Sequence, residues 1–128
     1  MKSERCATIR CKKPAREDGL CRSHFARRAD REFSLLIRER DGRCMAGRMG
    51  GRWPEMMCNG GLQCAHLISR RYHVTRHNPD NAVALCAAHH RWLDLHPEEK
   101  TDICRAWLGV TEYEVLRQLA LGNMRRIA

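Results

Sequence analysis

The chain has 128 residues with only 5% aromatic content, which allows one compact domain with a small appendage and excludes two full-sized cores. Its 24 Lys and Arg against 15 Asp and Glu give a net charge of +9, carried mainly by arginine, and this fits a polyanionic partner, nucleic acid first. The longest apolar run, Ala82 to Ala88, is too short to cross a membrane, and Met1 to Arg5 begins no secretory leader, so a soluble cytoplasmic protein with no membrane partner is expected. Eight cysteines are then expected as thiolate ligands rather than disulfides, and they compensate for a thin apolar core.

In chain order, Cys6, Cys11, Cys21 and His24 come first, spaced C-x4-C-x9-C-x2-H, with turns at Lys12-Lys13-Pro14 and Asp18-Gly19. The set suits tetrahedral zinc. Hardly any apolar residue accompanies it, so metal is its reason to fold. Cysteine and histidine spacing divides the chain into a zone over 1–28 and a second over 29–128. A linking helix is predicted over 29–40, with Ala29, Phe33, Leu36, Ile37 and Arg40 at helical spacing and Asp41-Gly42 as its stop.

Residues 42–61 are rich in Gly and Arg and predict a loop or irregular hairpin; Leu62 to Ser69 alternates loosely as a strand. A polar loop over 70–80 leads to a turn at Asp80-Asn81, and Ala87 to Leu95 reads as a helix bearing His89, His90 and Asp94. Two helices follow. Pro97 opens the first, with Ile103, Ala106 and Trp107 buried and Gly109 as its stop. Thr111 to Glu114 forms a capping box for the second, with Tyr113, Leu116 and Leu119 inward and Gly122 at its end; the tail to Ala128 is expected to fray.

A second zinc set is expected at Cys44, Cys58, Cys86 and His89, of which only the last pair has a tight C-x2-H spacing. Cys64 competes with Cys58 as the partner of Cys44. It lies two residues before His66 on the predicted strand and would share that residue's face, so Cys58 is preferred, and Cys64 and Cys104 read as unbound thiols.

Two stretches resemble a known family. Gly19, Leu20, Cys21 and His24, followed by Phe25, Arg27 and Arg28, are similar to the small zinc knuckle that precedes the nuclease region in some HNH proteins, where it is either structural or DNA-gripping. The segments L-Q-C-A-H-L-I-S-R-R and D-N-A-V-A-L-C-A-A-H-H-R, within about residues 41 to 96, resemble the HNH endonuclease core. In that family a first His ends a strand, an Asn follows in the loop, and a last His sits on a helix directly after the second zinc ligand. His66, Asn81 and His90 match with spacing H-x14-N-x8-H.

The resemblance implies a small zinc-stapled α+β fold with an N-terminal zinc knuckle, a linking helix, a ββα-metal core and two C-terminal helices. It also implies a DNA phosphodiester hydrolase leaving 3′ hydroxyl and 5′ phosphate ends, with two structural Zn²⁺ and one catalytic divalent metal (Mg²⁺, Mn²⁺, Ni²⁺ or Zn²⁺). His66 would be the general base, His90 the metal ligand, and Asn81 would bond backbone across the loop to hold His66. Many members carry an acidic or His ligand just before the first catalytic His, where this chain has Ala65. Asp94, one turn after His90 on the same helical face, is the candidate replacement.

Arg70, Arg71, Arg76 and Arg91 are candidate DNA backbone clamps, while no role is assigned to His73 or His77, and Trp53, Trp92 and Trp107 are expected in packing. Small nucleases of this sort resemble those of bacteriophages and mobile elements, which implies a bacterial cytoplasm and partners in phage packaging or processing. The alternatives are a catalytically silent zinc-containing DNA-binding or adaptor protein, and a thiol-based redox sensor.

Overall fold

The computed structural model describes residues 4–122, so the expectation of a fraying tail at 123–128 lies outside the described residues. The chain divides into two compact units, Met1–Leu35 and Leu36–Ala128. Among the described residues they hold a small α+β structure with five helices and a two-stranded antiparallel sheet. None of these helices is long and apolar enough to cross a membrane.

In the first unit the backbone forms two isolated bridges, Arg5 with Pro14 and Glu17 with Leu20. The predicted Asp18-Gly19 turn is present. Both residues have positive φ, 49° and 72°, and the Leu20 N–H donates to the Glu17 carbonyl at 2.9 Å, the pattern of a tight hairpin turn. Helix α1, Arg22–Asp41, starts well before the predicted residue 29 and contains the division between the units. The reason is local: a C-x2-H ligand pair spans one helical turn, so Cys21 and His24 open the helix together. Phe33 and Ile37 are buried on α1, whereas Leu36, expected on the same face, is exposed.

In the second unit a short helix α2, Ala46–Met49, interrupts the predicted loop. Strand β1, Leu62–His66, pairs antiparallel with β2, Ala82–Cys86, in a register that sets Leu62 opposite Cys86 and His66 opposite Ala82. β1 ends three residues before the predicted Ser69. Beyond His66 the Leu67 N–H donates to the Asn81 carbonyl, and both backbone groups of Ile68 are taken by the Asn81 side chain. A side chain has replaced the partner strand.

β2 is buried along its whole length. Its outer edge is satisfied by the end of α1 and the start of α2: Ala84 N–H donates to Asp41 Oδ2 at 2.8 Å, and the Ala84 carbonyl accepts from the N–H of Met45, the cap of α2, at 2.9 Å. Arg40, paired with Asp41, donates to the carbonyls of Pro79 and Ala82, both at 2.8 Å. An isolated hairpin is marginal in water, and these bonds give it a third side.

Helix α3 spans the predicted Ala87–Leu95 and follows directly on β2. Helix α4, Pro97–Leu108, has the predicted start and the predicted Gly109 stop, but Ala106 is exposed and Cys104 takes its place in the core beside Ile103. Helix α5 runs Val110–Ala120, and the expected capping box at Thr111 to Glu114 does not form. The helix begins one residue earlier, with Gly109 at its cap and no side-chain cap bond; Glu114 instead pairs with Arg117 and Gln118 further along the helix. Tyr113 and Leu116 are buried as expected, and Leu119 is half-buried. The core gathers Met49, Ala65, Leu85, Leu93, Ile103 and Leu116, so the sheet, α3, α4 and α5 share one apolar interior.

Candidate functional site

Two tetrads of three cysteines and one histidine could each hold a metal ion: Cys6, Cys11, Cys21 and His24, and Cys44, Cys58, Cys86 and His89, with the ligand atoms of each within 4.8 Å of one another. Zinc bonds of about 2.3 Å to sulfur in a tetrahedron separate the ligand atoms by about 3.8 Å. In the first tetrad His24 Nδ1 lies 3.3 Å from Cys6 Sγ and 3.1 Å from Cys21 Sγ, and the Cys11 and Cys21 sulfurs are 3.9 Å apart. In the second, His89 Nδ1 lies 3.0 Å from Cys86 Sγ, 3.7 Å from Cys44 Sγ and 3.8 Å from Cys58 Sγ. These spacings and donor types fit zinc.

The electrostatics agree. Burial opposes ionisation of Cys6, yet the Cys21 N–H, Thr8 and His24 outweigh it and bring its pKa down to about 5. For Cys86, burial is likewise outweighed by the His89 N–H and ring and by the Asn59 N–H, and the pKa falls to about 6. The neighbouring Cys44 thiol, with burial, pushes Cys58 up to about 11. Cys11 also rises: the Lys13 N–H favours its thiolate, but burial and the Cys6 and Cys21 sulfurs prevail. Crowded thiolates repel one another, and a bound cation removes that conflict.

The second tetrad is built onto the start of α3. Cys86 Sγ accepts from the His89 N–H at 3.4 Å, so a ligand also caps the helix. The Ala87 and Ala88 N–H groups donate to the carbonyls of Gly61 and Asn59, each at 3.0 Å. This close approach requires Gly60, which has φ 85° and where a Cβ would meet the Ala87 Cβ at 2.6 Å. Trp53 stands edge-on to His89 at 5.3 Å and packs on Trp92, as expected of structural aromatics. Cys64 lies outside both tetrads. Cys104 is fully buried, and its thiol is pushed up to about 11 by that burial.

His66, at the end of β1, has Nε2 2.8 Å from the Arg76 carbonyl oxygen. A carbonyl only accepts, so Nε2 carries the proton and Nδ1 is the basic nitrogen of the neutral ring. Asn81 is completely buried. Its Oδ1 accepts from the Ile68 N–H at 2.7 Å, and its Nδ2 donates to the carbonyls of Ile68 at 3.0 Å and Thr75 at 3.1 Å. Asn81 therefore ties both ends of the loop 68–75, and Arg76 follows directly.

His90, on α3, is engaged at both ring nitrogens: Nδ1 is 2.8 Å from Gln63 Oε1, and Nε2 is 3.3 Å from Asp94 Oδ2. Asp94 Oδ1 is held by Lys100 Nζ at 3.2 Å. Burial, aided by the charges of Lys100 and Arg70 and opposed by Asp94, lowers the His90 pKa and favours the neutral ring at neutral pH. Strand alternation sets Gln63 and Ala65 on one face of β1 and Cys64 and His66 on the other. Ala65 is wholly buried in the core.

Of the candidate clamps, Arg70 is close enough for its charge to act on His90. Arg71 donates to the Tyr72 hydroxyl at 2.7 Å. Arg76 lends its carbonyl to His66. Arg91 lies off the His90 face of α3, in a groove with Gly60, Ala88, Trp92 and Leu95. His73 and His77 are exposed in the loop. The sequence gives no sign of Gln63 or Lys100 at the site, nor of the partners of Arg40 and Asp41, because polar residues on a strand or at a helix end carry no local sign of a distant partner. No known protein family, characterised protein or solved structure matches the chain.

Proposed function

We propose that the protein is a metal-dependent nuclease of the HNH type, with a ββα-metal core formed by β1, β2 and α3, that hydrolyses DNA phosphodiester bonds. The observation that carries this reading is the bond from His66 Nε2 to the Arg76 carbonyl, beside a loop fastened by Asn81. It leaves the basic nitrogen of His66 in a defined direction. With an ordinary pKa of about 6.5, imidazole accepts a proton from water near neutral pH, so His66 acts as the general base on the attacking water. Asn81 is a positioning residue that works through the loop. Arg70, Arg71 and Arg76 supply phosphate contacts beside the site, and Arg91 supplies one from the other side of α3.

His90 Nε2 and Asp94 Oδ2 would hold the catalytic ion; an imidazole nitrogen beside a carboxylate oxygen suits Mg²⁺, Mn²⁺, Ni²⁺ or Zn²⁺. When bound, the ion supplies positive charge that stabilises the scissile phosphate and the departing 3′ oxygen. The two Cys3His tetrads are structural zinc sites in this reading, and the net charge of +9 draws the protein to DNA.

One observation favours the second reading, a catalytically silent DNA-binding module. Ala65 is 0% exposed in the apolar core, so that position of β1 offers the ion nothing. Replacing the general base separates the two. His66→Ala is expected to retain zinc, fold and DNA affinity while losing metal-dependent cleavage by a factor of about 10² to 10⁴. Equal cleavage by the variant removes His66 from the mechanism.

A further inference from the structure

Gln63 is an exposed side chain on β1, yet its amide oxygen lies 2.8 Å from His90 Nδ1. An amide oxygen only accepts, so the Nδ1–H points at Gln63 and the lone pair of the neutral ring is on Nε2. On that side Asp94 Oδ2 stands at 3.3 Å. Two lone pairs then face each other, an arrangement that repels when empty and attracts a cation placed between them. Lys100 Nζ, 3.2 Å from Asp94 Oδ1, occupies the other carboxylate oxygen and keeps Oδ2 turned to the ring.

Resting on the reading of His90 as an ion ligand, we propose that Gln63 is a positioning residue that fixes the orientation and tautomer of His90, so that Nε2 and Asp94 Oδ2 together take a divalent cation. Its place on a strand gives the acceptor a rigid base, which a loop residue would lack. An acceptor on the far nitrogen of a ligating histidine strengthens metal binding by about 10- to 100-fold. Lys100 completes the line Gln63, His90, Asp94, Lys100 and sets which carboxylate oxygen faces the ion.

The test uses zinc-loaded full-length protein with ¹⁵N-labelled histidine at pH 8, His90 being identified by its loss in His90→Ala. Long-range proton–nitrogen correlation is expected to find the wild-type His90 proton on Nδ1. Titration with Mn²⁺ alone is expected to give binding that His90→Ala abolishes. Gln63→Leu is expected to move the proton toward Nε2 and to weaken Mn²⁺ binding at least about tenfold, and Gln63→Glu to restore both. Because Gln63 is exposed, neither variant disturbs the core. A wild-type proton on Nε2, or unchanged tautomer and affinity in Gln63→Leu while His90→Ala loses the ion, overturns the role of Gln63 alone. Equal Mn²⁺ binding by wild type and His90→Ala overturns the ligand role of His90, and the proposal with it.

Discussion

Asn81 is hydrogen-bonded to both backbone groups of Ile68, accepting from its N–H at 2.7 Å and donating to its carbonyl at 3.0 Å, and so does for that residue what a paired strand would do. A third bond, to the Thr75 carbonyl, carries the restraint to the loop that precedes Arg76. The asparagine thus links the end of β1 to the group that orients His66.

Removing this side chain leaves a buried N–H and two carbonyls without their partner. Asn81→Ala is expected to lower stability by about 3 kcal/mol, at the upper end for a buried polar group deprived of its bonds. Urea unfolding of the zinc-loaded protein checks it, and a loss below about 0.5 kcal/mol would mean that water replaces the side chain without cost.

The two Cys3His tetrads, read as zinc sites, predict a stoichiometry. Elemental analysis of the purified protein is expected to find two zinc ions per chain, and Cys21→Ser and Cys86→Ser are each expected to lose one. Chelation is expected to unfold the first unit, because among its described residues before Phe33 the buried ones are Cys6 and Cys21, both members of the tetrad. Retention of both ions by either variant contradicts the assigned ligands.

Asp41 predicts an acid-side effect. Burial disfavours its charge, but the Arg40 hydrogen bond, the Ala84 N–H and the Arg40 charge outweigh burial and lower its pKa. A carboxylate with a depressed folded pKa stabilises above its unfolded value of about 3.9 and loses that contribution as pH falls through the folded value. Asp41→Asn is therefore expected to be less stable than wild type at pH 6, with the difference shrinking below pH 4. Denaturant midpoints against pH measure it, and a constant difference down to pH 2 would show that the charge is irrelevant.

Much of this architecture was legible where the signal is local. Pro97 and Gly109 bound α4 because one fixes φ and the other permits a positive φ, and the Cys and His spacings suit two tetrads because one metal must collect them. β2 offered no alternation, since both its faces are buried and period two vanishes in a fully covered strand. The Thr111 capping box failed because Gly109 already turns the chain into α5. Gln63 and Asp41 act on partners 27 and 43 residues away, and their residue types, unlike Cys and His, do not mark them as members of a set. His66, Asn81 and His90 stand out in the sequence only through the resemblance to the HNH core; the hydrogen bonds that give each a direction required the fold.

Metal-dependent cleavage is decided by incubating zinc-loaded protein with supercoiled plasmid, with and without Mg²⁺, Mn²⁺ or Ni²⁺, beside His90→Ala. Nicked or linear DNA is expected from the wild type only when metal is added, and none from the variant. Tight, salt-dependent DNA binding with no conversion under any metal would contradict the nuclease reading and leave a silent DNA-binding module, with the buried Ala65 as the reason.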